Sequence, residues 1–270
     1  MNITKIITGL TLSMLLASGV AIAADYDKGM DAYESGDYKA AIEEWMPLAE
    51  LGDPRAERNI GFMYYHGKGV LQNSKTALRW FILSAEQGYA KAQYNLGNMY
   101  RTGTGVLKND KTAVKWFTLA AEQGFSSAQL NLGLMYANGY GVPENDKTAV
   151  KWYTLAAEQG FAMPQYQLGI MYANGRGVPE NDKTAVKWFT LAAEQGYATA
   201  QRYLGAMYDF GDGVPQNDKT AVKWYTLASY NGSEVARENK DAVAKQMTPA
   251  DISAAQDMSS RCLENNYRDC

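Results

Sequence analysis

Histidine, cysteine and proline are scarce in this chain, whose 270 residues include one histidine, two cysteines and seven prolines. His66 lies far along the chain from both cysteines, so the usual nitrogen and sulfur ligands of zinc are not grouped. Acidic residues slightly outnumber basic ones, 29 against 26, and there is no basic stripe of the kind typical of nucleic-acid binding. We therefore expect no metal site, no cofactor and no nucleic-acid partner.

The sequence also lacks the short motifs that present a catalytic nucleophile. Neither Ser-x-x-Lys nor Gly-x-Ser-x-Gly occurs, and the Gly-x-Gly segments never continue as Gly-x-Gly-x-x-Gly. Glu-Gln pairs such as Glu122-Gln123 recur along the chain, which is more typical of a structural link between units than of an acid–base site. These absences favour a protein that is not an enzyme and has no catalytic residues.

What the chain does contain is a repeat, since a unit of 36 residues occurs five times in succession without insertion or deletion. A fixed period of this length is typical of a solenoid, in which each unit packs on its neighbours. The repeats occupy residues 56–235, and the copies begin at Ala56, Ala92, Ala128, Pro164 and Ala200.

Each copy contains the signals of two helices, as the second copy illustrates. Apolar residues at helical spacing follow Ala92, and a Gly-Thr-Gly segment at 103–105 ends this first helix. Asp110 stands where the N-cap of a second helix belongs, and Gly124 suits a left-handed residue after its end. One copy is thus a helical hairpin, and the chain is predicted to be all-α, an α/α superhelical solenoid of about six to seven hairpins.

Residues that recur in every copy are predicted to build the core. A glycine inside each first helix is unfavourable on its own and indicates close approach of the paired helix through small residues such as Ala121 and Ala157. We also expect the recurring methionines and tryptophans to be core side chains. The glycines are Gly61, Gly97, Gly133, Gly169 and Gly205, the methionines are Met63, Met99, Met135, Met171 and Met207, and the tryptophans are Trp80, Trp116, Trp152, Trp188 and Trp224.

The segments outside the repeats differ from them. Residues 1–23 combine Lys5, an apolar run at 6–16 and Ala-Ile-Ala at 21–23, which predicts a cleaved export signal followed by Ala24. The run is too short to span a bilayer and no cysteine follows it to carry a lipid, so we expect a periplasmic or secreted protein without a membrane span. Residues 24–55 are predicted to form an N-terminal capping hairpin, and residues 236–270 are predicted to form C-terminal capping helices and a tail.

Cys262 and Cys270 are the only cysteines, and both lie in the tail of a chain that we expect to be exported. A disulfide between them is the favoured interpretation, and closing so short a loop is worth about 2.5 kcal/mol on a loop-entropy estimate. The alternative is a redox-active pair, although the spacing differs from Cys-x-x-Cys.

The recurring segments LGxMYxxGxGV and DKTAVKWFTLAAEQG, found between Ala56 and Val235, resemble the Sel-1-like repeat family, a relative of the tetratricopeptide repeats. The resemblance implies an α/α superhelix that binds proteins or peptides and often serves as an adaptor in signalling, secretion or envelope assembly. It also implies that the first helices line the concave side. Cysteine-rich exported members carry a disulfide in each unit and have been linked with binding or hydrolysis of β-lactams, and this chain lacks those cysteines.

Positions that vary between copies are the candidates for a binding face. On each first helix they are spaced three and four residues apart, which places them on one side, and the central ones are apolar while the outer ones carry charge. The alternative is that some of these side chains pack between helices. We call these candidate partner-binding residues the first-helix stripe: Arg58, Phe62, Tyr65, Tyr94, Asn98, Arg101, Leu130, Leu134, Ala137, Tyr166, Ile170, Ala173, Arg202, Ala206 and Asp209.

A second contact edge is predicted inside the Gly-x-Gly turns, where Tyr140, Arg176 and Asp212 also vary. Taken together, these patterns predict a non-enzymatic scaffold or adaptor that binds a protein or peptide on its concave face. Envelope signalling, secretion or host interaction are the expected settings, and a monomer is the expected state. The alternative function is β-lactam binding or weak hydrolysis, as the cysteine-rich relatives imply.

Overall fold

The computed structural model describes residues 24–267 and residue 270, and this part of the chain is helical without any strand. The predicted export signal, residues 1–23, lies outside the described residues. The prediction of an all-α fold is confirmed. The described helices are α1 (Tyr26–Glu34), α2 (Tyr38–Glu50), α3 (Pro54–His66), α4 (Ser74–Glu86), α5 (Ala90–Thr102), α6 (Asp110–Glu122), α7 (Ser126–Asn138), α8 (Asp146–Glu158), α9 (Ala162–Ala173), α10 (Asp182–Ala193), α11 (Ala198–Phe210), α12 (Asp218–Tyr230), α13 (Glu234–Ala244) and α14 (Pro249–Glu264).

The chain divides into two compact units, Met1–Trp80 and Phe81–Cys270. The described part of the first unit is centred on Trp45 of α2, which is only 2% exposed. The indole Nε1 of Trp45 donates a hydrogen bond of 3.1 Å to the carbonyl oxygen of Tyr26. Helix α1 approaches the indole at Gly29, where any Cβ would overlap the ring. A glycine and a tryptophan thus fix how α1 packs on α2.

In the second unit the helices pack in chain order. Each first helix packs against the second helix of its own repeat, and each second helix packs against the first helix that follows it. Helix α14 departs from this order, because it packs against α12. The interior of each repeat is filled by recurring leucines and methionines, and the leucines are completely buried: Leu96, Leu132, Leu168 and Leu204.

The N-caps of the second helices differ by one residue from the prediction. Asn109, and not Asp110, is the N-cap of α6, because its backbone is extended and its side-chain oxygen accepts a 2.9 Å hydrogen bond from the Thr112 amide. In the first copy Asn73 has the same role, because its side-chain oxygen accepts from the Lys75 and Thr76 amides. The aspartate that follows the asparagine is the first helical residue, where its negative charge opposes the positive end of the helix dipole. The same correction applies to α8, α10 and α12, which are capped by Asn145, Asn181 and Asn217.

The groups nearest to the glycines inside the first helices are aromatic rings, and not the predicted Ala121 and Ala157. This holds for Gly97, Gly133, Gly169 and Gly205. A Cβ added to Gly97 would lie 2.7 Å from the ring of Phe117, and a Cβ on Gly205 would lie equally close to Tyr225. These rings are completely or almost completely buried. Because glycine has no side chain, it leaves room on the first helix, and a bulky side chain of the second helix occupies that room.

The tryptophans are less central than predicted. Trp116, Trp152 and Trp188 are half-buried, and the next residue in each repeat, Phe117, Tyr153 or Phe189, fills the interior instead. Trp224 alone is buried among the tryptophans of the second unit, at 3% exposure, and it lies on α12, against which α14 packs. The recurring methionines are buried as predicted, at Met63, Met99, Met135, Met171 and Met207.

The turns inside the repeats join one repeat to the next in the second unit. Both glycines of the Gly175-Arg176-Gly177 turn adopt left-handed backbone angles, with φ of 62° and 70°. An added Cβ on Gly177 would lie 2.5 Å from the main-chain carbonyl carbon of Asp146, at the start of α8 in the preceding repeat. The turn therefore rests directly on the main chain of its neighbour, which only glycine permits.

Candidate functional site

The first-helix stripe lies on α3, α5, α7, α9 and α11, and nearly all of its side chains are half-buried. Arg101 is exposed, whereas Ala137 is buried and cannot contact a partner. Half-burial means that each side chain rests partly on the core and leaves part of its surface open.

The apolar centre of the stripe lies in the second unit. Leu130 and Leu134 of α7 pack on the core cluster that contains Tyr153 and Leu168, and both remain partly open. Ile170 of α9 packs in the same manner on the cluster around Phe189. These three aliphatic side chains belong to the variable set, so they are not required by the repeat itself.

The tyrosines of the stripe belong partly to the packing between helices, which was the alternative interpretation. The Tyr94 ring lies 5.8 Å from Phe117 and 5.1 Å from Phe125, measured between ring centres. Tyr166 contacts the rings of Phe189, Tyr197 and Tyr203 at 5.5–6.0 Å, and burial raises the pKa of its hydroxyl to about 12. These tyrosines therefore form rigid aromatic walls beside the aliphatic centre.

Charged members of the stripe are held by their neighbours. The guanidinium of Arg202 lies 4.3 Å from the centre of the Tyr203 ring. Asp209 accepts a hydrogen bond of 3.2 Å from the Tyr225 hydroxyl, and burial raises the pKa of its carboxyl group. On α5, Arg101 donates to the side-chain oxygen of Asn98 at 3.3 Å.

Two stripe residues of α3, Arg58 and Phe62, border a cavity in the first unit. Its volume is about 250 Å³, and its lining consists of Met30, Tyr33, Trp45, Arg58, Asn59 and Phe62. Only Arg58 and Phe62 among these were in the predicted site. Met30, Tyr33 and Trp45 lie on the capping hairpin and Asn59 lies on α3, and all four were missed. The concentration of aromatic residues between positions 26 and 45 was a visible signal.

Lys68 is a further residue that the sequence comparison missed. It occupies the same turn position as Tyr140 and Arg176, one of the positions already identified as variable. Its ammonium group donates a 2.7 Å hydrogen bond to the Tyr33 hydroxyl and lies 5.8 Å from the centre of the Phe62 ring. Lys68 therefore adds a positive charge beside the aromatic residues of the cavity.

The predicted contact edge in the turns has a structural role at one of its three positions. Arg176 pairs with Asp146 at 2.8 Å and Glu144 at 3.8 Å, and it donates to the Ala137 carbonyl at 3.2 Å. Arg176 therefore links its own turn to the preceding repeat. Tyr140 and Asp212 are exposed.

Glutamines form a repeated hydrogen-bonded link, as the recurring Glu-Gln pairs predicted. Gln195, just after α10, donates a 2.7 Å hydrogen bond to the side-chain oxygen of buried Gln165 on α9. Gln165 in turn donates to the Ala157 carbonyl at the end of α8, at 3.2 Å. This amide ladder recurs with Gln93 and Gln123, with Gln129 and Gln159, and with Gln201 and Asn231. The glutamates of these pairs, such as Glu122 and Glu158, remain exposed.

The predicted disulfide between Cys262 and Cys270 closes a loop within the tail, and this tail packs on the last repeat. Tyr267 donates a 2.8 Å hydrogen bond to the side-chain oxygen of Asn231, which extends the amide ladder into the tail. Lys223 lies under the tail and is only 4% exposed, whereas the equivalent Lys187 of the preceding repeat is exposed. Its ammonium group donates to the main-chain oxygen of Cys270 at 2.6 Å, and burial lowers its pKa to about 8.

The buried lysine predicts a measurable pH dependence of stability. Because the pKa of Lys223 is lower in the folded than in the unfolded chain, the unfolded chain binds more protons between about pH 8 and 10.5, and stability contributed by this group rises over that window. Relative to Lys223→Met, the wild type should gain about 2 kcal/mol of unfolding free energy between pH 7 and pH 10. Urea unfolding of both proteins at several pH values measures this difference. Lys187→Met, at the exposed equivalent, should run parallel to the wild type, and a parallel curve for Lys223→Met would contradict the assignment.

Neither a metal site nor a membrane helix occurs in the part of the chain that the structure describes. Among residues 24–267 and 270, no three His, Cys, Asp or Glu side chains are grouped so that they could hold a metal ion. Within the same residues no helix is both long enough and apolar enough to cross a membrane.

Hairpins of constant length, joined by a repeated amide ladder and a repeated glycine turn, define a helical-repeat protein of the solenoid class. The family model of the Sel1 repeat matches residues 54–89, 90–125, 126–161, 165–197 and 198–233. The chain belongs to the Sel1 repeat family. Proteins built on this repeat generally mediate protein–protein interactions, and the repeat scaffold is typically non-catalytic.

Solved structures of the same family resemble this chain over most of its length. A Sel1 repeat protein from Oxalobacter formigenes is 33% identical with a TM-score of 0.78, and the match covers 88% of this chain and 99% of that one. The protective antigen c5321 of uropathogenic Escherichia coli strains displays an SLR fold and is 31% identical with a TM-score of 0.76. That match covers 90% of this chain and 57% of the antigen chain.

A more distant likeness concerns the fold alone. The immunity protein PA5088 from Pseudomonas aeruginosa is 20% identical with a TM-score of 0.51, over 77% of this chain and 82% of that one. No curated protein matches this sequence.

Proposed function

We propose that this chain is a non-enzymatic scaffold that captures a protein or peptide partner on the first-helix stripe. The observation that carries the proposal is the contrast between recurring and variable side chains on the same helices. The recurring Leu132 and Met135 of α7 are buried, whereas the variable Leu130 and Leu134 are apolar and yet partly open. Open aliphatic side chains flanked by rigid tyrosines are the usual composition of a protein-binding surface.

The proposed setting is the periplasm or the exterior of the cell, in envelope signalling, secretion or host interaction. The disulfide between Cys262 and Cys270 supports an oxidising compartment, because such bonds persist there and are rare in the cytosol. We propose that the scaffold acts as a monomer.

No reaction is proposed for this chain. The β-lactam alternative came only from relatives with a disulfide in each unit, whereas the two cysteines of this chain close one loop in the tail. The recurring carboxylates Glu122 and Glu158 are exposed on the second helices.

Charge placed in the apolar centre of the stripe should abolish partner capture. We expect the double variant Leu134→Arg with Ile170→Arg to retain at most a tenth of the partner that wild-type protein captures, because two buried guanidinium groups would replace an apolar contact. The measurement is crosslinking capture from the native cell envelope, with the captured proteins quantified by mass spectrometry.

The matched control places the same charges on another surface. Leu119 and Leu155 lie on the second helices and are 43% and 45% exposed, so Leu119→Arg with Leu155→Arg should leave capture unchanged. Circular dichroism should show the same helicity for both double variants. Undiminished capture by the Leu134 and Ile170 variant, or equal loss in both variants, would defeat the proposal.

A further inference from the structure

The cavity of the first unit has the size of a single side chain. Pockets that hold drug-sized ligands or cofactors usually measure about 300–1,000 Å³, and this cavity measures about 250 Å³. It lies between α1, α2 and α3, each of which contributes to its lining. A cavity of this size suits one residue of a bound chain.

The walls of the cavity are apolar and held in place. Trp45 is almost fully buried, and its only polar atom, Nε1, is already satisfied by the Tyr26 carbonyl. The Tyr33 ring lies between the rings of Trp45 and Phe62, at 5.9 and 6.3 Å from their centres. Such a pre-formed aromatic wall binds an apolar side chain without first losing much conformational freedom.

Asn59 gives the base of the cavity a fixed polar arrangement. It is buried, its amide nitrogen donates to the Tyr26 hydroxyl at 3.1 Å, and its oxygen accepts from Arg58 at 3.0 Å. These bonds orient the Arg58 guanidinium beside the cavity, where it lies 5.0 Å from the centre of the Phe62 ring.

The rim of the cavity carries positive charge. The ammonium group of Lys68 lies 4.7 Å from the centre of the Tyr33 ring and 5.8 Å from that of Phe62. Burial lowers the pKa of His66, and the charges of Lys68 and Arg58 add to this effect. None of the six lining residues is acidic.

We propose that this cavity is an anchor pocket for an acidic peptide segment of the partner. One apolar side chain of the peptide enters between Tyr33, Trp45 and Phe62, and a neighbouring carboxylate pairs with Arg58 and Lys68. Arginine is suited to this role because its guanidinium binds a carboxylate through two parallel hydrogen bonds. The inference rests on the proposed function, since Arg58 and Phe62 belong to the first-helix stripe.

The pocket can be tested with a defined probe and without the natural partner. The probe is the acetylated and amidated peptide Glu-Glu-Phe-Glu-Glu, and the signal is the methyl resonance of Met30 in methionine-labelled full-length protein. Met30 lines the cavity, and its resonance is assigned by its loss in Met30→Leu. We expect a saturable shift that weakens at least tenfold in Arg58→Gln and that also weakens as salt concentration rises.

Matched controls separate charge from apolar contact. Lys-Lys-Phe-Lys-Lys and Glu-Glu-Ala-Glu-Glu should not give a saturable shift, and Arg79→Gln, at an exposed arginine of the same unit, should bind the acidic probe like wild type. Lys68→Gln provides a second rim variant and should weaken binding at least threefold. Any of three results would overturn the proposal of an anchor pocket. They are a Met30 resonance that does not shift at millimolar probe, equal responses to the acidic and basic peptides, and unchanged binding by Arg58→Gln.

Failure of the pocket and failure of the scaffold are distinguishable. Partner capture that depends on Leu134 and Ile170 but is unchanged in Arg58→Gln would overturn the pocket and support the stripe of the second unit. Capture that is insensitive to Leu134 and Ile170 would defeat the scaffold proposal whatever the peptide does at Met30.

Discussion

Gly177→Ala is expected to lower the free energy of unfolding by about 3 kcal/mol. A left-handed backbone costs a residue with a Cβ about 1–2 kcal/mol, and overpacking adds roughly 1–3 kcal/mol. Both costs apply at Gly177, where φ is 70° and the new Cβ would lie 2.5 Å from main-chain atoms of Asp146. Because those atoms belong to the first turn of α8, they cannot move aside as a flexible side chain can. Urea unfolding followed by circular dichroism measures the loss.

Gly175 supplies a control in the same turn. Its φ of 62° is similar, but the nearest atoms to an added Cβ are the Cβ and the backbone nitrogen of Glu180, both at 3.3 Å. Gly175→Ala should therefore lower the free energy of unfolding by only about 1 kcal/mol, mainly through the left-handed backbone. Equal losses in the two variants would show that contact between repeats contributes nothing at Gly177 and would contradict this description of the turn.

Gln165→Leu is expected to destabilise the protein by about 2 kcal/mol, because it breaks the amide ladder at a buried position. The substitution leaves the Ala157 carbonyl without its side-chain donor and removes the acceptor of Gln195. The Ala157 carbonyl still accepts from the Gly160 amide at 2.9 Å, and Gln195 still donates to the Leu191 carbonyl at 3.1 Å. The cost is therefore the loss of two hydrogen bonds, each worth about 0.5–1.5 kcal/mol. The same urea titration measures the effect.

A control for this substitution lies two residues away on the same helix. Gln167 is half-buried and is not part of the ladder, so Gln167→Leu should change the unfolding free energy by no more than about 0.5 kcal/mol. If Gln165→Leu is equally mild, the ladder is not a stabilising link between repeats, and the recurrence of its glutamines needs another explanation.

The repeat made most of the fold predictable from sequence. Within one copy, the periodic apolar residues, the Gly-x-Gly turn and the final glycine fix two helices through local interactions, and these were placed correctly. The caps were one residue off because Asn109 and Asp110 are both good capping residues, and only the extended backbone of Asn109 decides between them.

The candidate site was less predictable, because a stripe residue can contact a partner only if neighbouring helices leave part of its side chain exposed. Spacing placed Leu134, Ile170 and Tyr166 on one side of their helices but could not say how much of each is open. The cavity of the first unit combines side chains from α1, α2 and α3. Residues that meet there are separated by 29 to 35 positions in the sequence. Such contacts carry no local signal in a single sequence.

The sequence by itself determined the helices, their repeated order and the recurring core, because these depend on interactions between residues that are near each other in the chain. Tertiary structure alone decided which aromatic ring fills the space above each glycine and why Trp224 and Lys223 are covered while their equivalents are not. It also formed the small cavity beside Arg58. The physical reason is that burial depends on which helix lies on a surface, and identical sequence segments lie under different neighbours at the middle and at the end of the array.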